Sequence, residues 1–288
     1  MEIITRQPRT EEMPALRQIW KEVFGSGDVD IFFSFYLDYA KCITALHEDT
    51  PVSAGYFIPV GSISCGGLAV PCAMIYAVAT KPEHRNHGYG SAVVRELTAS
   101  AKAAGYPAVV LCPSDDDLFS YYSANTELRE WFYARAISYT LPPQTECGRA
   151  RLSRISAEEY QALRNSLLEE NPHIALDLRA IEYQDLLCKH YGGGLYWVSS
   201  AGGDSCAVVE MASGGLVCIK ELLTSTTNES DIISAVAAAY PALRYNVRSP
   251  VCSRTAACKR FGMLAIHDDF FGRLDMENDF PWYGLAFD

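Results

Sequence analysis

The fold is decided by one stretch in the first half of the chain, which reads Ala77-Val78-Ala79-Thr80-Lys81-Pro82-Glu83-His84-Arg85-Asn86-His87-Gly88-Tyr89-Gly90. Its apolar start predicts a buried strand that ends at the proline, and the next segment, Ser91–Ala104, is predicted to form a helix. Such a helix begins with unpaired backbone amides and with the positive end of its dipole. Gly88 and Gly90 lack the Cβ atoms that would keep an anion from these amides, and Arg85 adds a forked donor. The stretch therefore predicts a phosphate-binding loop.

Two common nucleotide-binding motifs do not fit this loop. A dinucleotide-binding fingerprint needs a third glycine where the chain has Val93, and an acidic residue about 20 positions later, where the chain is apolar. An ATPase-type phosphate loop needs glycine and lysine followed by serine or threonine, which the stretch lacks. The loop is therefore expected to bind a phosphate compound of another class.

The elements after the loop point to that class. The predicted helix is followed by the turn Gly105-Tyr106-Pro107, by a second buried strand over Ala108–Cys112, and by an acid-rich helix start at Asp115-Asp116-Asp117. With the R-x-x-G-x-G spacing of residues 85–90, this order resembles the cofactor region of the GNAT acetyltransferases, which hold coenzyme A at this loop. The resemblance implies an α/β fold with a mixed sheet, acetyl-CoA as co-substrate, and no metal.

The resemblance also assigns roles to individual residues. Backbone groups of Val78, Ala79 and Thr80 would pair with the pantetheine arm as an extra strand does, and the amides of residues 86–91 would hold the pyrophosphate. The implied cofactor-binding residues are Val78, Ala79, Thr80, Arg85, Asn86, His87, Gly88, Tyr89, Gly90 and Ser91. The two histidines that flank the loop, His84 and His87, are each interpreted more simply as solvated.

Acetyl transfer to an amine also needs a proton donor for the departing thiolate. The resemblance places a tyrosine on the helix after the second cofactor strand, three residues ahead of a Gly-Phe pair, and Tyr122 holds this position. Because Thr126 and Glu127 replace that pair here, the adjacent Tyr121 stays an alternative. Neighbours on a helix point about 100° apart, so we expect one tyrosine to face the thioester and the other to pack in the core.

The general base and the acceptor pocket are less defined. Glu83 is predicted to face solvent, the three aspartates at 115–117 to form a charged helix start, and Asp288 is a candidate base because some GNAT relatives with fused domains use a C-terminal carboxylate. Aromatic residues crowd the second predicted helix, which overhangs the acceptor site in this family; they are Phe32, Phe33, Phe35, Tyr36 and Tyr39. They are interpreted mainly as core.

The composition favours a cytoplasmic enzyme. A chain of 288 residues with 49% hydrophobic and 20% charged residues is typical of two globular domains. The ten cysteines form no C-x-x-C pair, which argues against a zinc site and for a reducing compartment. There is no signal-peptide pattern and no apolar run of membrane-spanning length. The 24 basic and 35 acidic residues give a net charge of −11, which disfavours nucleic acid and anionic membranes as partners.

Two domains are predicted, residues 1–144 and 145–288, joined within the breaker-rich segment Leu141-Pro142-Pro143-Gln144-Thr145-Glu146-Cys147-Gly148. The first is predicted to contain strands at 3–7, 43–47, 53–59, 63–68, 72–79, 108–112 and 134–140, and helices at 10–24, 30–39, 91–104 and 115–124. The second is predicted to repeat the scheme, with strands at 151–155, 195–199, 206–211, 216–222 and 243–248, and helices at 157–169, 229–239 and 253–260.

The second domain is expected to lack a cofactor site. Its last predicted helix runs into Phe261-Gly262, which resembles the helix and Gly-aromatic turn at the end of GNAT domains. The counterpart of the phosphate loop, however, reads Leu223-Thr224-Ser225-Thr226-Thr227-Asn228, with neither arginine nor glycine. This half is therefore interpreted as a degenerate GNAT-like domain that stabilises the first.

Together these patterns predict a tandem GNAT-like N-acetyltransferase. It would move an acetyl group from acetyl-CoA to a primary amine of a small molecule or peptide, by direct attack in a ternary complex, with Tyr122 as general acid. A non-catalytic acyl-CoA-binding or regulatory protein is the alternative, because the Gly-Phe pair is lost and no base is assigned. Aminoacyl transfer from tRNA is a third hypothesis, which the acidic charge disfavours. The sequence does not identify the acceptor or the oligomeric state.

Overall fold

The computed structural model of the protein describes residues 3–140, 150–224, 229–251, 258–266 and 280–288. These residues form two compact units. Unit 1 contains residues 3–63, 69–131 and 262–266, and unit 2 contains residues 64–68, 132–140, 150–224, 229–251, 258–261 and 280–288. No helix among these residues is both long and apolar enough to cross a membrane.

Helices and strands are mixed along the chain. The first part contains β1 (Ile4–Arg6), α1 (Met13–Phe24), α2 (Val29–Phe35), β2 (Lys41–His47), β3 (Thr50–Cys65), β4 (Leu68–Thr80), α3 (Tyr89–Ala103), β5 (Ala108–Leu111), α4 (Asp116–Asn125) and β6 (Arg129–Thr140). The second part contains β7 (Arg151–Arg154), α5 (Ala157–Leu168), β8 (His173–Leu176), α6 (Leu178–His190), β9 (Gly194–Ser200), β10 (Gly203–Ala212), β11 (Leu216–Thr224), α7 (Glu229–Ala239), β12 (Arg244–Ser249) and β13 (Cys258–Ile266).

Unit 1 is built on a mixed sheet with the strand order β1-β2-β3-β4-β5-β13. Strands β4 and β5 are parallel, whereas β1 and β2, β2 and β3, and β5 and β13 pair in antiparallel fashion. In β13 it is Met263–Ile266 that pairs with β5. The last strand of this sheet therefore comes from the far end of the described chain.

Helix α3 packs on this sheet through one apolar face. Val93 and Leu97, four residues apart and so on the same side of the helix, are fully buried together with Val109 of β5. Each such buried side chain contributes about 1.5–3 kcal/mol to folding. A Cβ at Gly55 of β3 would lie 3.0–3.1 Å from the side chains of Leu97, Val78 and Val93. The glycine thus allows β3 to lie close beneath the helix.

Unit 2 repeats this architecture. Its sheet has the order β7-β9-β10-β11-β12-β6, with β11 and β12 parallel and the other pairs antiparallel. Taken in chain order, β7, β9, β10, β11 and β12 hold the places that β1 to β5 hold in unit 1. The sixth place is exchanged, because β6 from the first half of the chain completes the unit 2 sheet and β13 from the second half completes that of unit 1. The predicted mixed-sheet fold with two similar halves is confirmed.

A buried ion pair holds the segment of residues 280–288 in unit 2. The Glu221 carboxylate accepts hydrogen bonds from Arg164 (2.9 and 3.2 Å), the Tyr160 hydroxyl (2.7 Å) and the Trp282 indole (2.7 Å). Arg164 also donates to the carbonyl of Tyr283 at 3.2 Å. Because Arg164 and Glu221 are fully buried, each charge depends on the other for its stability.

Some predicted elements differ from the structure. The helix predicted over 253–260 is wrong for residues 258–260, which belong to β13; residues 253–257 lie outside the described residues. Phe261 and Gly262 continue this strand rather than forming a turn, because Met263, Leu264 and the neighbouring apolar side chains are buried in the sheet. The second predicted helix ends early, at Phe35. The sequence also predicted no element between residues 170 and 193, where β8 and α6 lie.

The predicted boundary between residues 144 and 145 falls in 141–149, outside the described residues. Contacts divide the chain earlier, between Trp131 and Phe132, because most of β6 belongs to the sheet of unit 2. The division into domains at 1–144 and 145–288 stays a prediction.

Candidate functional site

The sheet of unit 1 opens where β4 and β5 part. Their parallel pairing covers four residue pairs, from Cys72 and Ala108 to Ile75 and Leu111, and β5 ends there. Strand β4 continues to Thr80, and its irregular residue Ala77 has a φ of 50°, which is unusual for a residue with a side chain. The edge of residues 76–80 that continues from the paired segment therefore has no β5 partner. Such an edge can take an extended ligand as an added strand.

The predicted pantetheine-binding residues Val78, Ala79 and Thr80 lie on this edge. Strand β3 holds their end of β4, because the Ser53 hydroxyl donates to the Ala79 carbonyl at 2.9 Å and lies 2.8 Å from the Thr80 hydroxyl. The Arg85 guanidinium donates to the Thr80 carbonyl at 3.3 Å, and its side chain is otherwise exposed. The structure thus brings the end of β4 and the predicted arginine together.

The loop after β4 presents the start of α3. Asn86 and Gly88 have φ angles of 64° and 82°, and Gly88 is the residue that caps the helix, without a side chain to occupy the amides. The first intrahelical bond joins the Ala92 amide to the Gly88 carbonyl at 3.0 Å. Helix geometry therefore leaves the amides of Tyr89, Gly90 and Ser91 without intrahelical partners. A turn of this kind is suited to bind an anion.

One of these amides is already bound within the protein. The Ser91 amide donates to the Tyr121 hydroxyl at 3.1 Å, and the Ser91 hydroxyl donates to the Gly88 carbonyl at 3.0 Å. A Cβ at Gly90 would lie 3.5 Å from the Thr80 hydroxyl oxygen and 3.8 Å from that of Tyr121. The end of β4 and the middle of α4 therefore both approach the start of α3.

The histidines near the loop have different surroundings. His87 is exposed, with Nδ1 2.7 Å from the Arg85 carbonyl oxygen. His47, which the sequence analysis missed, lies with Nδ1 2.8 Å from the Tyr89 hydroxyl, and its ring centroid is 4.9 Å from that of His84. Nothing local in the sequence indicated His47, because it comes from the end of β2. It fixes the buried Tyr89 ring beside the loop.

The two tyrosines of α4 differ in their contacts. Tyr122 is 7% exposed and belongs to the apolar core of unit 1. Burial, and secondarily the charge of neighbouring Tyr121, raises the pKa of Tyr122 above its usual value, so this phenol is neutral in the physiological range. No hydrogen bond joins its hydroxyl to another described residue. Tyr121 is half-buried and bound to α3, and the two ring centroids are 5.3 Å apart.

The lost Gly-Phe pair does not disturb the end of α4. Thr126 follows the helix with an extended backbone (φ −141°), a conformation that does not require glycine. Its amide and its hydroxyl both donate to the Tyr122 carbonyl, at 2.8 and 2.7 Å. Threonine thus caps the helix by a different arrangement and leaves Tyr122 in a regular helical turn.

The other predicted groups are placed as follows. Glu83 and the three aspartates at 115–117 are exposed, and the aspartates lie at the start of α4. The Asp288 carboxylate accepts two hydrogen bonds from Arg248, at 2.6 and 2.9 Å. Burial acts to raise the pKa of Asp288, but Arg248 and Lys220 outweigh it and hold this pKa below the usual range. A carboxylate with so weak an affinity for protons is a poor base.

The aromatic residues of the second predicted helix lie only partly in the core, since Phe33 and Phe35 are half-buried and Tyr39 is exposed. Phe32 and Tyr36 are fully buried, and the Phe32 ring centroid lies 4.9 Å from that of Trp20 and 5.5 Å from that of Tyr76. Tyr76 is half-exposed and comes directly after the last pair of β4 and β5. Tyr76 therefore connects the aromatic core to the opening where β4 and β5 part.

In the described part of unit 2, a side chain fills the matching place. Strands β11 and β12 also share four parallel pairs, from Leu216 and Arg244 to Ile219 and Val247. Just beyond them, Arg248 donates to the Lys220 carbonyl at 2.7 Å, pairs with Asp288, and lies over the Phe261 ring at 4.3 Å. The side chain of Arg248 occupies the gap. Of the counterpart loop, residues 225–228 lie outside the described residues.

Within the described ranges, no three histidine, cysteine, aspartate or glutamate side chains form a group that could hold a metal ion. The acid-rich and histidine-containing segments around the opening thus do not converge on a common centre there.

Comparison with known proteins agrees with this geometry. Residues 5–124 match the sequence profile of the acetyltransferase (GNAT) domain. No curated protein matches the chain significantly in sequence.

Solved structures share the fold across most of the chain at low sequence identity. A GCN5-related N-acetyltransferase from Kribbella flavida is 15% identical, with a TM-score of 0.67 over 92% of this chain and 71% of its own. The corresponding protein from Anabaena variabilis is 15% identical, with a TM-score of 0.67 over 92% and 73%. A tandem GNAT protein from the clavulanic acid biosynthesis pathway is 10% identical, with a TM-score of 0.55 over 93% and 100%. Residues 5–124 thus match the GNAT acetyltransferase domain in sequence, and the chain shares its fold with solved GNAT structures, a tandem GNAT protein among them.

Proposed function

We propose that unit 1 binds acetyl-CoA and transfers its acetyl group to a primary amine of a small molecule or peptide. The observation that carries this proposal is that the β4 edge beyond its last pair with β5 leads into the start of α3, whose first amides have no intrahelical partners. An extended amide-containing arm can pair with the first, and the pyrophosphate at its end can reach the second. The residues present fit this ligand, and the match of residues 5–124 to the GNAT acetyltransferase domain supports acyl transfer as the reaction.

Different groups of the protein are proposed to bind different parts of acetyl-CoA. Val78, Ala79 and Thr80 offer backbone donors and acceptors to the pantetheine amides. Arg85 and the amides at Tyr89 and Gly90 offer positive charge to the phosphates. When bound, acetyl-CoA would supply the activated acetyl group and a thiolate leaving group.

Tyr122 is proposed as the general acid. The amine nitrogen bonds to the acetyl carbon as the carbon–sulfur bond breaks, the sulfur keeps the bonding pair and takes the Tyr122 proton, and the proton that the amine loses returns to the Tyr122 oxygen through solvent. Full transfer from a phenol of pKa about 10 to a thiolate of about 8.5 is uphill by about 2 kcal/mol. Burial disfavours charge on both groups. A hydrogen bond from the neutral Tyr122 hydroxyl therefore stabilises the leaving sulfur before the proton is transferred.

The test is a thiol-release assay with acetyl-CoA across a panel of amines. We expect Tyr122→Phe to lower kcat about 100-fold or more while the acetyl-CoA dissociation constant stays within about twofold. Tyr106→Phe is the matched control, because Tyr106 is half-buried against the same core. Unchanged turnover in Tyr122→Phe would contradict the role of this residue.

A non-catalytic acyl-CoA-binding protein is the second candidate. It is favoured by one observation, namely that the carboxylates weighed as bases are exposed or, in Asp288, paired with Arg248. It predicts tight binding of coenzyme A with no thiol release for any amine in the panel. A cytoplasmic location, proposed from composition, is common to both candidates.

A further inference from the structure

Tyr121 connects two elements of the opening in unit 1. Its hydroxyl oxygen accepts a hydrogen bond from the Ser91 amide at 3.1 Å, and Ser91 is the third residue of α3. This amide is one of those that helix geometry leaves free. The phenol therefore lies at the positive end of the α3 dipole.

The hydroxyl of Tyr121 still has its own proton to donate. A phenol can accept one hydrogen bond and donate another, and no described residue accepts the Tyr121 proton. Accepting from an amide at a helix start polarises the O–H group and strengthens it as a donor. The polarised Tyr121 hydroxyl is thus a second donor for an anion, in addition to the amides at the helix start.

The Tyr121 hydroxyl lies beside the amides at the start of α3. A Cβ on Gly90 would lie 3.8 Å from the Tyr121 oxygen and 3.5 Å from the Thr80 oxygen, so both hydroxyls flank the same glycine. Gly90 lies between the end of β4, where the pantetheine arm would pair, and the amides that would hold the phosphates.

We propose that Tyr121 is a binding residue for acyl-CoA, which donates its hydroxyl proton to a phosphate oxygen while the Ser91 amide holds it in place. The inference rests on the proposed function and deepens it. It gives the adjacent tyrosines separate tasks, because Tyr121 binds the phosphates and Tyr122 serves the sulfur. It also explains how Ser91 contributes to binding although its amide is occupied within the protein.

A purely structural role for Tyr121 makes a different prediction. If the hydroxyl served only to join α4 to α3, its removal would affect every ligand of the opening to the same degree. If it contacts phosphate, its removal would affect only ligands that carry phosphate. Coenzyme A and pantetheine, which lacks all phosphates, separate these cases.

The experiment is isothermal titration of the wild-type chain and of Tyr121→Phe with both ligands, with Tyr106→Phe as control. We expect Tyr121→Phe to weaken coenzyme A binding about tenfold or more, the range for a hydrogen bond to a charged group, and to leave pantetheine binding within about twofold. Circular dichroism and urea unfolding establish that each variant is folded. Tyr121→His, which keeps a donor, serves as a second variant and should recover part of the loss.

The outcomes are distinct. Equal losses for both ligands, or no loss for coenzyme A, would overturn the role of Tyr121 and leave the proposed function intact. Failure of the wild-type chain to bind coenzyme A would overturn the proposed function, and the role of Tyr121 with it.

Discussion

Units 1 and 2 share a strand order but differ at the place where their parallel strands separate. In both, four residue pairs join the parallel strands, and the pairing ends at Ile75 in one unit and at Ile219 in the other. Two positions later, unit 1 has Ala77 on a free edge, and unit 2 has Glu221 in a buried ion pair. The same backbone opening is thus left free in one unit and filled with side chains in the other. A shared fold does not by itself provide a shared site.

The largest effect is expected when unit 2 is made to resemble unit 1 at this position. Glu221→Ala removes the carboxylate and leaves the Arg164 guanidinium buried without its partner. We expect a loss of about 3–5 kcal/mol in the free energy of unfolding, measured by urea titration. The double variant with leucine at both positions should recover much of this loss, because no unpaired charge remains buried. A loss below about 1 kcal/mol in Glu221→Ala would show that the network does not stabilise unit 2.

A change at the start of α3 tests whether unit 1 alone holds the cofactor. Gly90→Asp favours the helix, since an acidic residue stabilises a helix start, but it places a negative charge where the phosphates would bind. We expect calorimetry to show one acetyl-CoA per wild-type chain and an affinity at least about 100-fold lower in Gly90→Asp. Gly105→Asp, at an exposed turn with a φ of 90°, is the control and should keep full affinity. Two sites per wild-type chain would contradict the inference that unit 1 alone holds the cofactor.

The smallest effect is expected from alanine substitutions at two serines that hold matching positions in the two units. The Ser53 hydroxyl lies 2.8 Å from that of Thr80, and the Ser205 hydroxyl lies 2.8 Å from that of Thr224. Alanine at either serine should cost about 1 kcal/mol in the free energy of unfolding, and Ser53→Ala also loses the hydrogen bond to the Ala79 carbonyl. Only Ser53→Ala should weaken acetyl-CoA binding, by a few-fold, since only Thr80 lies on the free edge. A matching loss of affinity in Ser205→Ala would contradict a single site in unit 1.

Local patterns in the sequence were enough to predict the core of this arrangement. The apolar run before Pro82 predicted the strand, and Gly88 with Gly90 predicted the helix start that follows the loop. These features depend on backbone conformation and on neighbours within a few residues. That is why β4 and α3 were predicted close to their observed bounds.

Features that depend on distant parts of the chain were not predicted. His47 contacts Tyr89 across 42 positions, and Tyr121 contacts the Ser91 amide across 30. Arg248 pairs with Asp288 across 40. Such contacts are fixed by sheet topology, which one sequence does not reveal. The exchange of β6 and β13 was missed for the same reason, and the strand at 258–260 was mistaken for a helix.

The exchanged strands also bear on how the protein is made. Strand β5 lies in the first half of the chain, but its partner Met263–Ile266 is translated near the end of the described sequence. Until then, the nascent amino-terminal part presents an unpaired strand edge of the kind that promotes association between chains. Pairing across such a separation also slows folding. The unit proposed to carry the active site therefore completes its sheet only after residues 263–266 are made, so a nascent chain released before them would lack a finished site.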